Sequence, residues 1–215
     1  MFIMASVVIV ALSVLSYIAT RKLDMIPTRR TQSFVEQIVE SLNHFIVGIM
    51  GPKGEKYTPF VGTIFLYIIC MNLLGLIPMF KSPTSNLTIT LSVSIPVFFF
   101  YNYAGIREAG IKPWLKHLMG EPIWLAPLMF PIHVIGELAR PISLGIRLYG
   151  NIFGEETILA VLAAMTVVVV PYFIAVPTQF PMMLFAIFTS FIQALVFSTL
   201  TAIYISIAIS NHEEH

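Results

Sequence analysis

Long apolar runs separated by short polar segments are the feature that most constrains the fold of this chain. Residues 60–80 and 87–105 each supply about 20 mostly apolar positions, enough for a helix to cross roughly 30 Å of hydrocarbon. Of the 215 residues, 57% are hydrophobic and 11% are charged, whereas soluble domains average about 25% charged residues. The sequence therefore predicts an all-α integral membrane protein.

We expect one membrane domain, residues 1–215, with about five crossings. Residues 1–20 are expected to form the first span rather than a secretory signal, because they lack a basic leading segment and a small-residue cleavage site. Residues 60–105 form a helical hairpin closed by a polar turn at 81–86. Residues 123–210 supply two helices longer than a perpendicular crossing needs. This excess predicts a strongly tilted hairpin around a curved partner, a kink at Pro141, or a helix lying partly along the membrane.

Residues 31–50 carry apolar side chains mostly at steps of three or four, with polar side chains between them. This pattern is typical of an amphipathic helix on a membrane surface. Basic residues are concentrated after the first and third spans, whereas Lys81 stands alone on the other side. By the positive-inside rule the basic clusters and the amphipathic helix are cytoplasmic, with the N-terminus outside and the C-terminus inside. An odd number of crossings is then required.

Arg147 lies in an otherwise apolar helical stretch, where a cation is costly and an ionisable residue is by default a functional hypothesis. At 100° per residue, its stripe of the helix also holds Arg140, Ser143, Gly150, Asn151 and Gly154. Small residues allow another helix to approach closely within a membrane. The pattern therefore predicts that Arg147 faces a partner helix rather than lipid.

Two acidic residues of the same helix point away from the arginine, Glu156 by about 180° and Glu155 by about 80°. A structural ion pair between Arg147 and one of these carboxylates is the alternative interpretation, and the angle disfavours Glu156. A guanidinium stays protonated at physiological pH, so Arg147 cannot relay protons, but it can force a nearby carboxyl group to ionise. Carboxylates segregated from an arginine indicate a proton path with a barrier. On the last helix, Gln193 is the conspicuous polar residue.

The segment from Glu137 to Asn151 reads Glu-Leu-Ala-Arg-Pro-Ile-Ser-Leu-Gly-Ile-Arg-Leu-Tyr-Gly-Asn. Together with Gln193 and the Glu-Glu-His tail at 213–215, it resembles subunit a of rotary F-type ATP synthases. Segments 71–78 and 83–92 also resemble that family's hairpin, so the likeness covers nearly the whole chain. It implies a stator that faces a ring of c subunits and provides two offset half-channels for H⁺, or in some members Na⁺. It further implies the b-subunit stalk and the rest of the complex as partners, in a bacterial inner membrane, with an organellar energy-transducing membrane as the alternative.

The resemblance also implies roles for individual residues. Arg147 matches the arginine that separates the half-channels and displaces the proton from the rotor carboxylate. Asn151 and Gln193 match polar residues at the interface with the ring, and Glu156 matches the acidic residue of the outer access path. Two residues fall on the inner side, Ser143 and Glu137.

This sequence departs from one common pattern of the family. Some relatives carry a histidine one heptad before the glutamine, opposite a glycine beside the channel glutamate. Here these positions hold Ala186 and Glu155, so we expect Glu155 to act as a proton relay. The secondary candidates are Arg140, His133, Asn86 and Ser92. Their alternatives are structural: Arg140 can snorkel toward the membrane surface, and Asn86 and Ser92 can cap a helix or form the turn.

The sequence contains no nucleophile motif, phosphate-binding glycine loop or paired cysteine, and its histidines share no metal-ligand spacing. We therefore expect no cofactor, no metal and no catalysis by this chain alone. The net charge of +1 gives no reason to expect a nucleic-acid partner. The competing function is a secondary ion-coupled transporter, but such proteins commonly show internal repeats in matching halves, and no convincing repeat occurs here.

Overall fold

A computed structural model describes residues 2–20, 30–76, 82–110, 126–169 and 175–210. Within these ranges the chain is helical and contains no strand. The helices are α1 (Phe2–Thr20), α2 (Arg30–Met50), α3 (Thr58–Leu74), α4 (Leu87–Ala109), α5 (Ala126–Val169) and α6 (Ala175–Ser210). Two short 3-10 helices, Pro52–Tyr57 and Pro83–Ser85, precede α3 and α4. The predicted all-α class is confirmed.

Three helical segments of the described residues are long and apolar enough to cross a membrane: Pro52–Leu74, Leu87–Glu108 and Phe180–Ile209. A shorter apolar helix covers Ile3–Ile18. Helix α5 has the length of a span but carries several charged side chains along it. The chain is thus an all-α membrane protein, and the count of five crossings stays a prediction.

Helix α5 is the longest element, with 44 residues, and it continues through both Pro131 and Pro141. At 1.5 Å per residue it measures about 66 Å. That is about twice the hydrocarbon thickness, so α5 fits a bilayer only if it tilts strongly or extends beyond the hydrocarbon. Helix α6, with 36 residues, packs against it.

Small residues bring α4 close to both long helices. A Cβ added at Gly145 of α5 would lie 2.7 Å from Leu91 Cδ2 and 3.2 Å from Ser94 Oγ of α4. A Cβ added at Gly105 of α4 would lie 3.2 Å from the Cβ of Ala208 of α6. Such close approach gives van der Waals packing, which holds helices together where lipid is as apolar as the side chains. Helices α4, α5 and α6 therefore form a tightly packed unit around the site.

Helix α2 is amphipathic, and its two halves differ in what covers the apolar side. In the second half Ile46 is completely buried in the core, and Asn43 Oδ1 accepts a 2.8 Å hydrogen bond from Thr58 Oγ1 of α3. In the first half Phe34 is 65% exposed and Val39 is 53% exposed. The second half is thus anchored on α3, while the first half presents apolar side chains outward.

An ion pair closes the end of the hairpin at which α3 begins and α4 ends. Lys56 donates to Glu108, and the buried Tyr57 donates to the same carboxylate at 3.2 Å. Next to it, the rings of Phe60 and Phe100 stack with centroids 3.5 Å apart. These contacts fix α3 against α4 at this end.

Candidate functional site

Arg147 lies on an exposed face of α5. Ser143, Gly150 and Asn151 are exposed with it, and these four residues are called the arginine face below. Within the part of the chain that the structure describes, Arg147 takes part in no ion pair. Most of the predicted stripe therefore points out of the chain, but Arg140, which was predicted to share it, is half-buried and paired with Glu137. The alternative ion pair of Arg147 with Glu155 or Glu156 does not form within the described residues.

The glycines of α5 divide into an inward and an outward set. A Cβ added at Gly136, Gly150 or Gly154 would meet no atom within 4 Å, whereas Gly145, on the opposite side, is packed against α4. The inward glycine is explained by contacts within the chain. The outward glycines leave room beside Arg147 for a helix from another molecule.

A hydrogen bond joins the arginine face to α6. The Asn151 side-chain amide donates to Gln193 Oε1. Gln193 is only 3% exposed, and its Nε2 has no hydrogen-bond partner among the described residues. Asn151 is exposed, so this pair connects the buried side of α6 to the outward face of α5. The structure brings these two predicted site residues together.

Glu155 lies at the seam between α5 and α6. Its Oε2 is 2.6 Å from Thr189 Oγ1, which donates to it. The same hydroxyl also lies 3.1 Å from the carbonyl oxygen of Ala186, and Ala186 is fully buried. Glu155 thus contacts the turn of α6 that holds Ala186 and Thr189.

Glu156 begins a polar cluster between α5, α3 and the turn before α4. Its Oε1 accepts a 3.1 Å hydrogen bond from the Ser82 backbone amide. The Ser82 and Thr84 hydroxyls are 2.6 Å apart, and Thr84 donates to Asn72 Oδ1 at 2.9 Å. Asn72 Nδ2 lies 3.4 Å from the Ser190 carbonyl oxygen, and the buried Ser190 hydroxyl has no partner among the described residues. We call these five residues the outer cluster, after the side that the sequence analysis predicts.

Glu137 belongs to a second polar cluster. Its Oε1 lies 2.7 Å from Arg140 Nη1, and its Oε2 accepts a 2.6 Å hydrogen bond from the Tyr101 hydroxyl. The Arg140 guanidinium lies 5.9 Å from the centre of the Tyr101 ring and 5.3 Å from that of Tyr204. Glu137, Arg140 and Tyr101 are the inner cluster, and the Tyr204 ring packs beside it. Arg140 is therefore tied to a carboxylate and two rings, contacts that the snorkelling alternative for this residue did not predict.

The other three secondary candidates lie at the N-cap of α4, within α4 and on α5. Asn86 Oδ1 accepts from the Thr88 backbone amide at 2.9 Å and caps α4. Ser92 is exposed, and its hydroxyl donates to the Thr88 carbonyl at 2.8 Å. His133 is half-buried, about one turn before Glu137. Their roles in proton access stay predictions.

The two clusters lie at different heights along α5, with Arg147 between them. At 1.5 Å per residue, Glu137 is about 15 Å from Arg147 in one direction, and Glu156 is about 13 Å away in the other. Each cluster combines a carboxylate, which can take up and release a proton, with hydroxyl or amide groups that donate and accept hydrogen bonds. No group of three or more histidine, cysteine or acidic side chains converges within the described residues. The chemistry that this arrangement supports is proton transfer.

The sequence pattern did not indicate which side chains bond to Glu137 and Glu156 or lie in their clusters. For Asn72 a signal existed, because it is a polar residue in an apolar run. Ser82 and Thr84 looked like ordinary turn residues, and Tyr101 and Tyr204 looked like core aromatics. Their importance is visible only once distant segments are brought together.

Comparison with known proteins identifies the family. A sequence model of the ATP synthase A chain family matches residues 1–206. ATP synthase subunit a of Trichlorobacter lovleyi is 45% identical over 198 residues, which cover 92% of this chain and 82% of that protein. ATP synthase subunit a of Protochlamydia amoebophila is 41% identical over 211 residues, covering 94% of this chain and 77% of that protein. The counterpart in Geobacter sulfurreducens is 41% identical over 198 residues, with coverages of 92% and 82%. With the match extending over nearly its whole length, this chain belongs to the ATP synthase A chain family.

Proposed function

We propose that this chain is the proton-translocating stator subunit of a bacterial F-type ATP synthase, with Arg147 as the barrier between two half-channels. The observation that carries the proposal is the position of Arg147. It is exposed, takes part in no ion pair among the described residues, and lies between two carboxylate clusters on one helix. A cation with no counter-charge at membrane depth is costly, so its counter-charge is expected on another chain.

The ring of c subunits is the partner that supplies this counter-charge. A rotor carboxylate that arrives beside Arg147 is forced to ionise, because a nearby positive charge favours the charged form of an acid. Arg147 itself keeps its proton at physiological pH and therefore does not pass protons along. Protons cannot cross directly from one cluster to the other and must travel on the ring. The outward glycines give the ring helices room to approach.

The outer half-channel begins at the outer cluster. Glu156 accepts protons there, Glu155 relays them along the α5–α6 seam, and Asn151 with Gln193 line the last step to the ring. Glu155 is suited to this relay because Thr189 holds its carboxylate against α6, next to Ala186.

The inner half-channel carries the released proton past Ser143 and Glu137 toward the cytoplasm. Ser143 lies on the arginine face, one turn from Arg147. The predicted orientation, with the N-terminus outside and the C-terminus inside, follows from the positive-inside rule. A location in the bacterial inner membrane and attachment to the b-subunit stalk complete the proposal.

This chain does not catalyse ATP chemistry on its own. One charge moving through 100 mV provides about 2.3 kcal/mol, so several charges must be pooled through a rotor to drive one costly chemical step. Pooling fails if protons leak between the half-channels, which explains the need for a fixed cation. ATP synthesis is then the task of the assembled complex.

Removing the guanidinium tests the proposal. Vesicles with the assembled complex are prepared with Arg147→Ala, and ATP-driven proton pumping and passive proton leak are measured. We expect pumping to be lost while leak is retained or increased. Arg107→Ala removes an exposed arginine at the end of α4 and serves as the matched control. Near-normal pumping by a correctly assembled Arg147→Ala complex would refute the proposal.

A further inference from the structure

Both oxygens of the Glu137 carboxylate are held by different donors. Arg140, on the same helix, lies 2.7 Å from Oε1. Tyr101, on α4, donates its phenolic hydrogen to Oε2 at 2.6 Å. The second bond joins residues 36 positions apart in the sequence, so it forms only when α4 and α5 are packed together.

We infer that Tyr101 is a positioning residue that fixes the Glu137 carboxylate for proton release at the inner half-channel. This inference rests on the proposed function, because it assigns Glu137 to the inner path. A glutamate side chain has three rotatable bonds, and holding it in one geometry costs conformational entropy. Two donors on separate oxygens keep it in place. The carboxylate then stays where the proton from the ring arrives.

The exposed fractions of the inner-cluster side chains fit a positioning role for Tyr101 better than simple core packing. The Glu137 side chain is 18% exposed and that of Arg140 27%, whereas Tyr101 is only 3% exposed. The carboxylate is therefore accessible from one side and held from the other. A buried tyrosine hydroxyl needs a hydrogen-bond partner, and this one has a titratable carboxylate as its partner.

Tyr204, which lies beside the inner cluster, provides a matched control. Its ring lies 5.3 Å from the Arg140 guanidinium, as the Tyr101 ring does at 5.9 Å. Of the two tyrosine hydroxyls, only that of Tyr101 bonds to Glu137 among the described residues. Removing one hydroxyl or the other thus preserves both rings and separates the hydrogen bond from the aromatic contacts.

The charged and titratable groups around Glu137 come from three helices. Helix α5 contributes Arg140 and, about one turn earlier, His133. Helix α4 contributes Tyr101, and α6 contributes Tyr204 beside Arg140. The variant Tyr101→Phe removes only the Tyr101 hydroxyl and leaves the other groups in place.

The experiment compares Tyr101→Phe with Tyr204→Phe in assembled complex in vesicles. ATP-driven pumping is measured while the pH on the inner side alone is varied. We expect Tyr101→Phe to slow pumping by about fivefold or more, and to displace the inner-side pH midpoint by about half a unit or more. Tyr204→Phe should match the parent in both. In a Glu137→Gln background, adding Tyr101→Phe should have no further effect, because the residue acts through that carboxylate.

Three results would overturn the inference: parent-like pumping by Tyr101→Phe, an additive effect in the Glu137→Gln background, or failure of Tyr101→Phe to assemble with the ring. Assembly is followed by co-purification of the c subunits. Arg147→Ala is measured in parallel to separate this inference from the proposed function. If Arg147→Ala pumps normally, the proposed function fails. If Arg147→Ala loses pumping while Tyr101→Phe is normal, only the role of Tyr101 fails.

Discussion

The side-chain amide of Asn151 donates to Oε1 of Gln193, which joins the two long helices one turn beyond Arg147. The Nε2 of Gln193 is buried and has no partner among the described residues. A buried donor without a partner costs free energy, and most such groups in proteins are satisfied by protein or by ordered water. We attribute this one to a position beside the proton path, where water or a rotor group supplies the missing bond.

Gln193→Leu should therefore slow ATP-driven pumping by about tenfold. Leucine has a similar size but cannot accept from Asn151 or bind a water in the path. Ile192→Leu, on the exposed side of α6, is the control and should leave pumping unchanged. Vesicle pumping with matched amounts of complex gives the comparison. Equal pumping by the two variants would remove Gln193 from the path.

The sequence was sufficient to predict the parts of the site that depend on one helix. Helical periodicity alone places Arg147, Ser143, Gly150 and Asn151 on one face, and the structure finds all four exposed. Arg140, predicted for the same stripe, is instead half-buried and paired with Glu137. The same angles correctly separate Glu156 from that face. These angles can be predicted because the directions of side chains on one helix are fixed by helical geometry, whatever the rest of the fold does.

The contacts between helices could not be predicted in this way. Tyr101 meets Glu137 across 36 positions, and Asn72 meets Ser190 across 118. Such pairs depend on how α3, α4, α5 and α6 rotate against one another, and that rotation is set by packing around residues such as Gly145. The local sequence pattern carries no information about that rotation.

Glu156 allows charge and hydrogen bonding to be tested separately. Its Oε1 accepts from the Ser82 backbone amide at 3.1 Å, and a glutamine in its place can still accept that bond but cannot take up a proton. We expect Glu156→Gln to assemble normally and to lose most ATP-driven pumping. Glu156→Leu should also lower the amount of assembled complex, because it leaves the Ser82 amide without its partner.

The measurement is pumping per assembled complex, with co-purified c subunits as the measure of assembly. Thr157→Val is the control, because the neighbouring Thr157 is exposed and bonds only to the Phe153 carbonyl of its own helix among the described residues. Full pumping by Glu156→Gln would show that this carboxylate does not titrate during transport. Glu155 would then be the remaining acidic candidate for the outer half-channel.

The two classes of glycine on α5 give a prediction about assembly. Gly145→Leu should disrupt the subunit itself, because even a Cβ would lie 2.7 Å from Leu91 and 3.2 Å from Ser94. Gly150→Leu should leave the subunit folded, because a Cβ there meets nothing within 4 Å beyond its own stretch of helix, and leucine favours helix over glycine by roughly 1 kcal/mol. If the ring packs on the arginine face, Gly150→Leu should nevertheless block that contact.

The expected results thus differ in kind. Gly145→Leu should reduce the amount of subunit in the membrane, measured by immunoblot. Gly150→Leu should give a normal amount of subunit but about tenfold less co-purified c subunit or pumping, because a close helix contact is lost. Gly136→Leu tests the same face farther from Arg147, where a Cβ also meets nothing within 4 Å. Normal assembly and pumping by Gly150→Leu would mean that no partner helix approaches Arg147 closely. In that case the charge on Arg147 would have to act across a water-filled gap, where a higher dielectric weakens its effect on a rotor carboxylate.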